Sequence, residues 1–270
     1  MRIRAGYELI YDCPEPTAML MMISVHASRT ADLLTPAEIT FTGGAVPRTY
    51  QDRFGNLCTR LVAPAGRTVV TTDFIIQDSG LPDDFNPYAE QHPVSDLPDD
   101  VLLFLLGSRY AETDKLSDTA WSLFGHIPPG FERVRAICQF VHNHIRFDYQ
   151  LASSTRSAWD AYQEGVGVCR DFAHLALTFC RCMNIPARYC TGYMGDIGIP
   201  LSDDPMDFSG WFEAYLGGRW YTFDARHNRT RIGRILMAVG RDATDVPISN
   251  SFGTAILSGF TVITEELPDN

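Results

Sequence analysis

The chain has 270 residues, 45% apolar and 20% charged, which suits one large or two modest packed domains and excludes a disordered polymer. Lysine plus arginine number 22 and aspartate plus glutamate 33, a net charge of −11. That is the wrong sign for a general binder of nucleic acid or anionic membrane, so neither is an expected partner. Arg226, Arg229, Arg231 and Arg234 form the one candidate local basic patch. The start, MRIRAGYELIYDC, lacks the apolar core and small-residue cleavage site of a secretory signal, and the most apolar runs, 18–23 and 101–106, are too short to span a bilayer. A soluble, cytoplasmic protein is therefore expected, and its seven cysteines read as thiols.

Residues 1–80 alternate with period two. Runs at 7–11, 18–25, 38–41 and 68–76 are rich in β-branched and aromatic residues, and Pro14, Pro16, Pro36, Gly43-Gly44 and Gly66 separate them. Asp52-Arg53-Phe54-Gly55-Asn56 lies between two further runs and predicts a hairpin with glycine at positive φ. Together these predict a small antiparallel β-sandwich domain over 1–80. Residues 81–100, with Pro82, Pro87, Pro93 and Pro98, read as an extended linker. Beyond it the period becomes helical. Phe131, Val134, Ile137, Cys138, Val141 and Ile145 mark one helix, and 170–184 a second with Phe172, Leu175, Ala176, Phe179 and Met183 on one side. Strands return at 187–193, 211–216 and 220–223, the last two joined by the hairpin signal Gly217-Gly218, and 255–264 predicts one more. The order predicts an α+β second domain over 101–270, its helices packed on an antiparallel sheet.

Cys169 differs from the other six cysteines. In Gly165-Val166-Gly167-Val168-Cys169-Arg170-Asp171-Phe172 the glycines give way to a helix, which puts the sulfur at the helix's first turn. Unpaired N–H groups and the positive end of the helix dipole favour a thiolate there, and Arg170 adds a positive neighbour. A packed core thiol is the alternative reading. His174 lies five positions on, about 140° around the helix, and points away. His142 and His144 sit two apart on different faces of one helix, and His26, His92 and His126 have no chemical neighbours. Asp196, Asp203, Asp204 and Asp207 form an acidic loop without calcium-site spacing, and Cys180 and Cys182 face different sides of their helix, so no metal is expected.

The blocks Gly167-Val168-Cys169-Arg170-Asp171-Phe172-Ala173, Asn184-Ile185-Pro186-Ala187-Arg188, Gly192-Tyr193, Trp211-Phe212-Glu213-Ala214-Tyr215 and Trp220-Tyr221-Thr222-Phe223-Asp224 resemble, in order, the transglutaminase-like superfamily. The N-terminal half resembles the β domain that precedes this core in many bacterial members. The resemblance implies an N-terminal antiparallel β-sandwich followed by a papain-like transglutaminase core, with Cys169 as nucleophile and Asp224 as orienting acid. It implies acyl transfer through a Cys169 thioester, with no cofactor, on a peptide or protein bearing a carboxamide or peptide bond. Release by water or by an amine makes the outcome hydrolysis or transamidation, and hydrolysis in the manner of a cysteine protease is the expected one. The family's general base falls on position 209, two residues before Trp211, where this chain has Ser209. A hydroxyl does not accept a proton near neutral pH. His227, three residues past Asp224, is the candidate replacement; Ser209 and Trp211 are expected to contact substrate. The alternative is an inactive peptide- or protein-binding module.

Overall fold

The computed structural model describes residues 1–201 and 206–268. Strands come first: β1 (Arg2–Cys13), β2 (Thr17–Met21), β3 (Thr40–Phe41), β4 (Arg48–Gln51), β5 (Leu57–Ala63) and β6 (Gly66–Gln77). Then follow α1 (Asp99–Leu102), α2 (Thr113–Phe124), α3 (Phe131–His144), β7 (Arg146–Phe147), α4 (Ala158–Glu164), β8 (Val166–Gly167) and α5 (Cys169–Cys182). The chain closes with β9 (Ala187–Tyr193), β10 (Ser209–Leu216), β11 (Arg219–Phe223), β12 (Ile235–Gly240), β13 (Ser249–Phe252) and β14 (Ile256–Leu267).

The α+β architecture follows from the two periodicities. In β1 the odd positions Ile3, Ala5, Tyr7, Leu9, Tyr11 and Cys13 are all buried, and in β6 Thr68, Val70, Thr72, Phe74 and Ile76 face the same core. These strands belong to an antiparallel sheet of order β14-β1-β6-β3, which shares one core with a second sheet, β13-β2-β5-β4. Burial of a side chain such as Leu9 or Phe74 contributes roughly 1.5–3 kcal/mol. The third sheet, β11-β10-β9-β12, carries α5 on its face, and α5 is covered on all sides by sheet and by α2, α3 and α4. Gly217 and Gly218, at φ 55° and 82°, make the tight turn between β10 and β11.

Two parts of the sequence-based division need correction. The terminal strand forms, as β14, but it pairs along β1, and β13 pairs with β2, so the end of the chain completes the N-terminal sheets. The proline-bearing stretch is no free linker. Asp83 exchanges main-chain and side-chain hydrogen bonds with Arg231, Asn86 donates to the Tyr221 hydroxyl (3.1 Å), and the Ala89 carbonyl accepts from Phe131 N–H (3.0 Å). Phe85 packs edge-on against Phe131 at 5.2 Å. It is a strap over the helical core.

The predicted hairpin at 52–56 has a second purpose. Asp52 accepts from Phe54 N–H and Asn56 N–H, which shapes the turn, with Gly55 at φ 86°. The turn delivers Asn56, fully buried, to the outer edge of β12. There Asn56 donates to the Val239 carbonyl and accepts from its N–H, each at 2.8 Å. An edge strand that would otherwise bury unpaired main-chain groups is thereby closed.

Candidate functional site

Cys169 is the first residue of α5. Its position is held by Asp171, whose buried carboxylate accepts from the Val168 N–H at 2.9 Å and receives Arg156 Nη1 at 3.4 Å. Gly167 makes room for that acid: a Cβ there would lie 2.6 Å from the Asp171 Cβ. The other six cysteines are buried, whereas Cys169 is partly exposed.

Around the sulfur, packed neighbours displace water and push the Cys169 thiol above its ordinary value, and the Asp207 carboxylate pushes in the same direction. The Arg226 guanidinium and the N–H groups of Gly210 and Arg170 act against this but do not overcome it. Desolvation thus works against the thiolate that the helix terminus favours. Nor does the Arg170 side chain serve the sulfur. It donates to the carbonyls of Ser153 and Ser154 and lies over the Tyr110 ring. Gly210 is required by close packing, since a Cβ there would stand 2.4 Å from the Tyr189 hydroxyl.

His227 lies in the turn that leaves β11. Its main-chain N–H donates to Asp224 Oδ1 at 3.0 Å, and its ring Nδ1 lies 2.9 Å from Asp224 Oδ2. The acid thus holds both the backbone and the ring, with the other ring nitrogen directed away from it. Asn228, at φ 50°, donates to Gln139, and the Arg226 carbonyl bonds to His142 Nδ1 at 2.8 Å, so α3 fixes the turn. Asp224 is 6% exposed. Burial alone would raise its carboxyl, but Arg234 Nη2, at 2.9 Å, and His227 hold it well below the usual carboxylate range. Arg234 in turn places Nε 3.1 Å from both oxygens of Asp83, whose carboxyl burial pushes up. His227, Ser209, Arg226, Tyr149, Asp207 and Asp196 share the lining of a cavity of about 70 Å³. The structure therefore joins His227 to Asp224 and brings Ser209 into one cavity with the ring, while the charge of Arg226, which lines the same cavity, also acts on the Cys169 sulfur.

The profile of the transglutaminase-like superfamily matches residues 119–225. The chain is 31% identical to a putative cysteine protease from Cytophaga hutchinsonii of known crystal structure. That match covers 100% of this chain and 92% of the other, with a TM-score of 0.86. The chain belongs to the transglutaminase-like superfamily. It is also similar to an uncharacterized protein of Mycobacterium leprae (strain TN), 37% identical over 93 residues. This second match covers 33% of each protein, so it spans about a third of the curated relative's length.

Within this transglutaminase-like core several expected residues have other surroundings. Trp211, expected to contact substrate, is 2% exposed and lies beneath the Arg234 guanidinium at 5.0 Å. Its ring is almost wholly closed off from solvent and packs against that guanidinium. Arg231 and Arg234 are buried against Asp196, Asp83 and Asp224, so the four arginines do not make a surface patch. Arg226 stacks over Phe147 at 3.7 Å. His174 is fully buried, accepts from Ala243 N–H at 3.1 Å, and stacks on Tyr110. Asp203 and Asp204 lie outside the described residues, among which no group of three or more metal-ligating side chains converges and no helix is long and apolar enough to cross a membrane.

Arg226, Gly210, Arg234 and Asp83 are the residues the sequence reading did not place at the site. The arginines lie near the Asp224 block but read equally well as a charged surface. Asp83 carries no local signal, because its partners are 148 and 151 residues away.

Proposed function

We propose that this protein is a cysteine-dependent acyl-transfer enzyme that hydrolyses peptide or carboxamide bonds. Cys169 is the nucleophile, His227 moves the proton, and Asp224 orients the imidazole. The observation that carries this reading is the double grip of Asp224 on His227, which fixes one ring nitrogen and frees the other for proton transfer. Burial favours the neutral thiol, and the Cys169 proton passes to His227 as the sulfur attacks the carbonyl carbon. The C–N bond then breaks, the amine departs with the proton from His227, and a thioester remains. Water attacks the thioester as His227 takes its proton, the C–S bond breaks, His227 returns that proton to the sulfur, and the carboxylic acid is released. N–H groups at the start of α5 are suitable donors to the oxyanion.

One observation favours a non-catalytic binding module: the raised Cys169 thiol beside a serine at position 209. The two readings separate on an activated ester and on small peptides or glutamine amides. The enzyme reading expects a burst of acylation that Cys169→Ala abolishes and His227→Ala lowers by about 10²–10⁴-fold. Absence of a burst in the wild type, with peptide binding retained, overturns it. A gain of hydrolysis in Ser209→His would then identify a cleft that binds substrate but lacks a base.

A further inference from the structure

The acid that orients His227 is not a simple partner of that ring. Its Oδ2 receives two donors, His227 Nδ1 and Arg234 Nη2, each at 2.9 Å, while Oδ1 receives the His227 main-chain N–H. The guanidinium is shared in its turn, with Nε bonded to both oxygens of Asp83. Asp83 is held from outside this row as well, because Arg231 N–H donates to its Oδ2 at 2.9 Å. Asp83, Arg234 and Asp224 show side-chain exposures of 11%, 8% and 2%, so water screens this row of charges weakly. A lone buried carboxylate against an imidazole favours the protonated ring, whereas a carboxylate neutralised by a guanidinium favours it less.

We infer that Arg234 and Asp83 are positioning residues that set the basicity of His227 by dividing the negative charge of Asp224. The inference rests on the proposed role of His227 only for its catalytic consequence; the ring titration is a property of the folded chain. Arg234 takes up part of the negative charge that Asp224 would otherwise present to the ring. Asp83 moderates that effect from the far side. The strap that carries Asp83 is thereby part of the site, although it lies far outside the Cys169 and Asp224 blocks in sequence.

The other ionisable groups lining the His227 cavity are Tyr149, Asp196, Asp207, Arg226 and Arg231. The substitutions below leave all five in place, so a shift between wild type and variant isolates the Arg234 contribution. The experiment is an NMR titration of the His227 imidazole in the full chain, with the signal assigned from His227→Gln. Arg234→Gln leaves Asp224 to act on the ring alone, and the ring titrates about one unit higher, a tenfold change in proton affinity. Asp83→Asn concentrates the guanidinium on Asp224, and the ring titrates lower. Arg234→Lys, which keeps the charge but not the two-sided fork, falls between wild type and Arg234→Gln. Opposite shifts from Arg234→Gln and Asp83→Asn support the inference; shifts of one sign, or none, overturn it. If Arg234→Gln does not fold, Asp83→Asn decides alone: a fall supports it, and no change or a rise overturns it. The low-pH limb of kcat/KM moves with the ring wherever His227 is the base. Opposite ring shifts together with full activity in His227→Ala would leave this inference standing and remove the proposed catalytic role.

Discussion

At residue scale the site is governed by burial acting against placed charges. Cys169 has a cation on one side, Arg226, and an anion on another, Asp207, and desolvation exceeds both. Asp207→Asn removes one cause of the raised thiol, so alkylation by iodoacetamide at pH 7.5 is expected to speed up by about three- to tenfold; Arg226→Met slows it by a similar factor. Equal rates in both variants and wild type would show that neither charge acts on the sulfur. His174 is governed by the same physics without any catalytic consequence. Burial holds its ring well below the ordinary imidazole range, and protonation would remove the acceptor that Ala243 N–H uses. A histidine depressed in the folded state stabilises fully above its unfolded value, and that stability is lost as the pH falls. The urea midpoint is therefore expected to drop below about pH 6.5, with a flatter profile at a lower level in His174→Phe.

Among the elements, α5 was legible because its apolar residues recur at helical spacing and its first turn carries the Cys-Arg-Asp signature. The structure adds why that turn is rigid: Asp171 caps it and Gly167 yields the space. Helix α4 carries a capping box in Ser157 and Asp160, but its seven residues supply too short an apolar pattern to stand out. Strands β12 and β13 gave no clear alternation. Strand β12 is buried along most of its length and β13 along none of it. The hairpin at 52–56 was legible as a turn, yet its hold on β12 was not, since Asn56 and Val239 are 183 residues apart. Asn56→Leu is expected to cost about 2–3 kcal/mol in urea unfolding, because it strands a buried donor and acceptor on Val239. A loss below about 0.5 kcal/mol would show that β12 closes without it.

For the whole molecule, the consequential feature is that the chain's end returns to its beginning. Strand β14 runs the length of β1, and the shared core of the two N-terminal sheets extends into Tyr193 and Phe208 beside the site. Phe74 meets Tyr193 edge-on at 5.7 Å, and Tyr7 meets Phe208 at 5.8 Å. The β-sandwich and the helical core are therefore expected to unfold together. Removing residues 255–270 bares the β1 edge and is expected to lower Tm by at least about 10 °C or to cause aggregation. A melt within about 2 °C of the full chain would contradict this.

The sequence by itself determined the class of fold and the family, and it singled out Cys169, Asp224 and His227 as the candidate site residues. These rest on local periodicity and on short blocks whose spacing survives in the linear chain. Tertiary structure alone decided which groups act on them. Arg226, Arg234 and Asp83 reach the site from a turn, a loop and a strap, and their partners are set by how distant segments pack. It also decided which way the surroundings push the thiol. The helix terminus that the sequence announces favours a thiolate, but desolvation depends on every neighbour that folding brings to the sulfur, and that sum cannot be read along the chain.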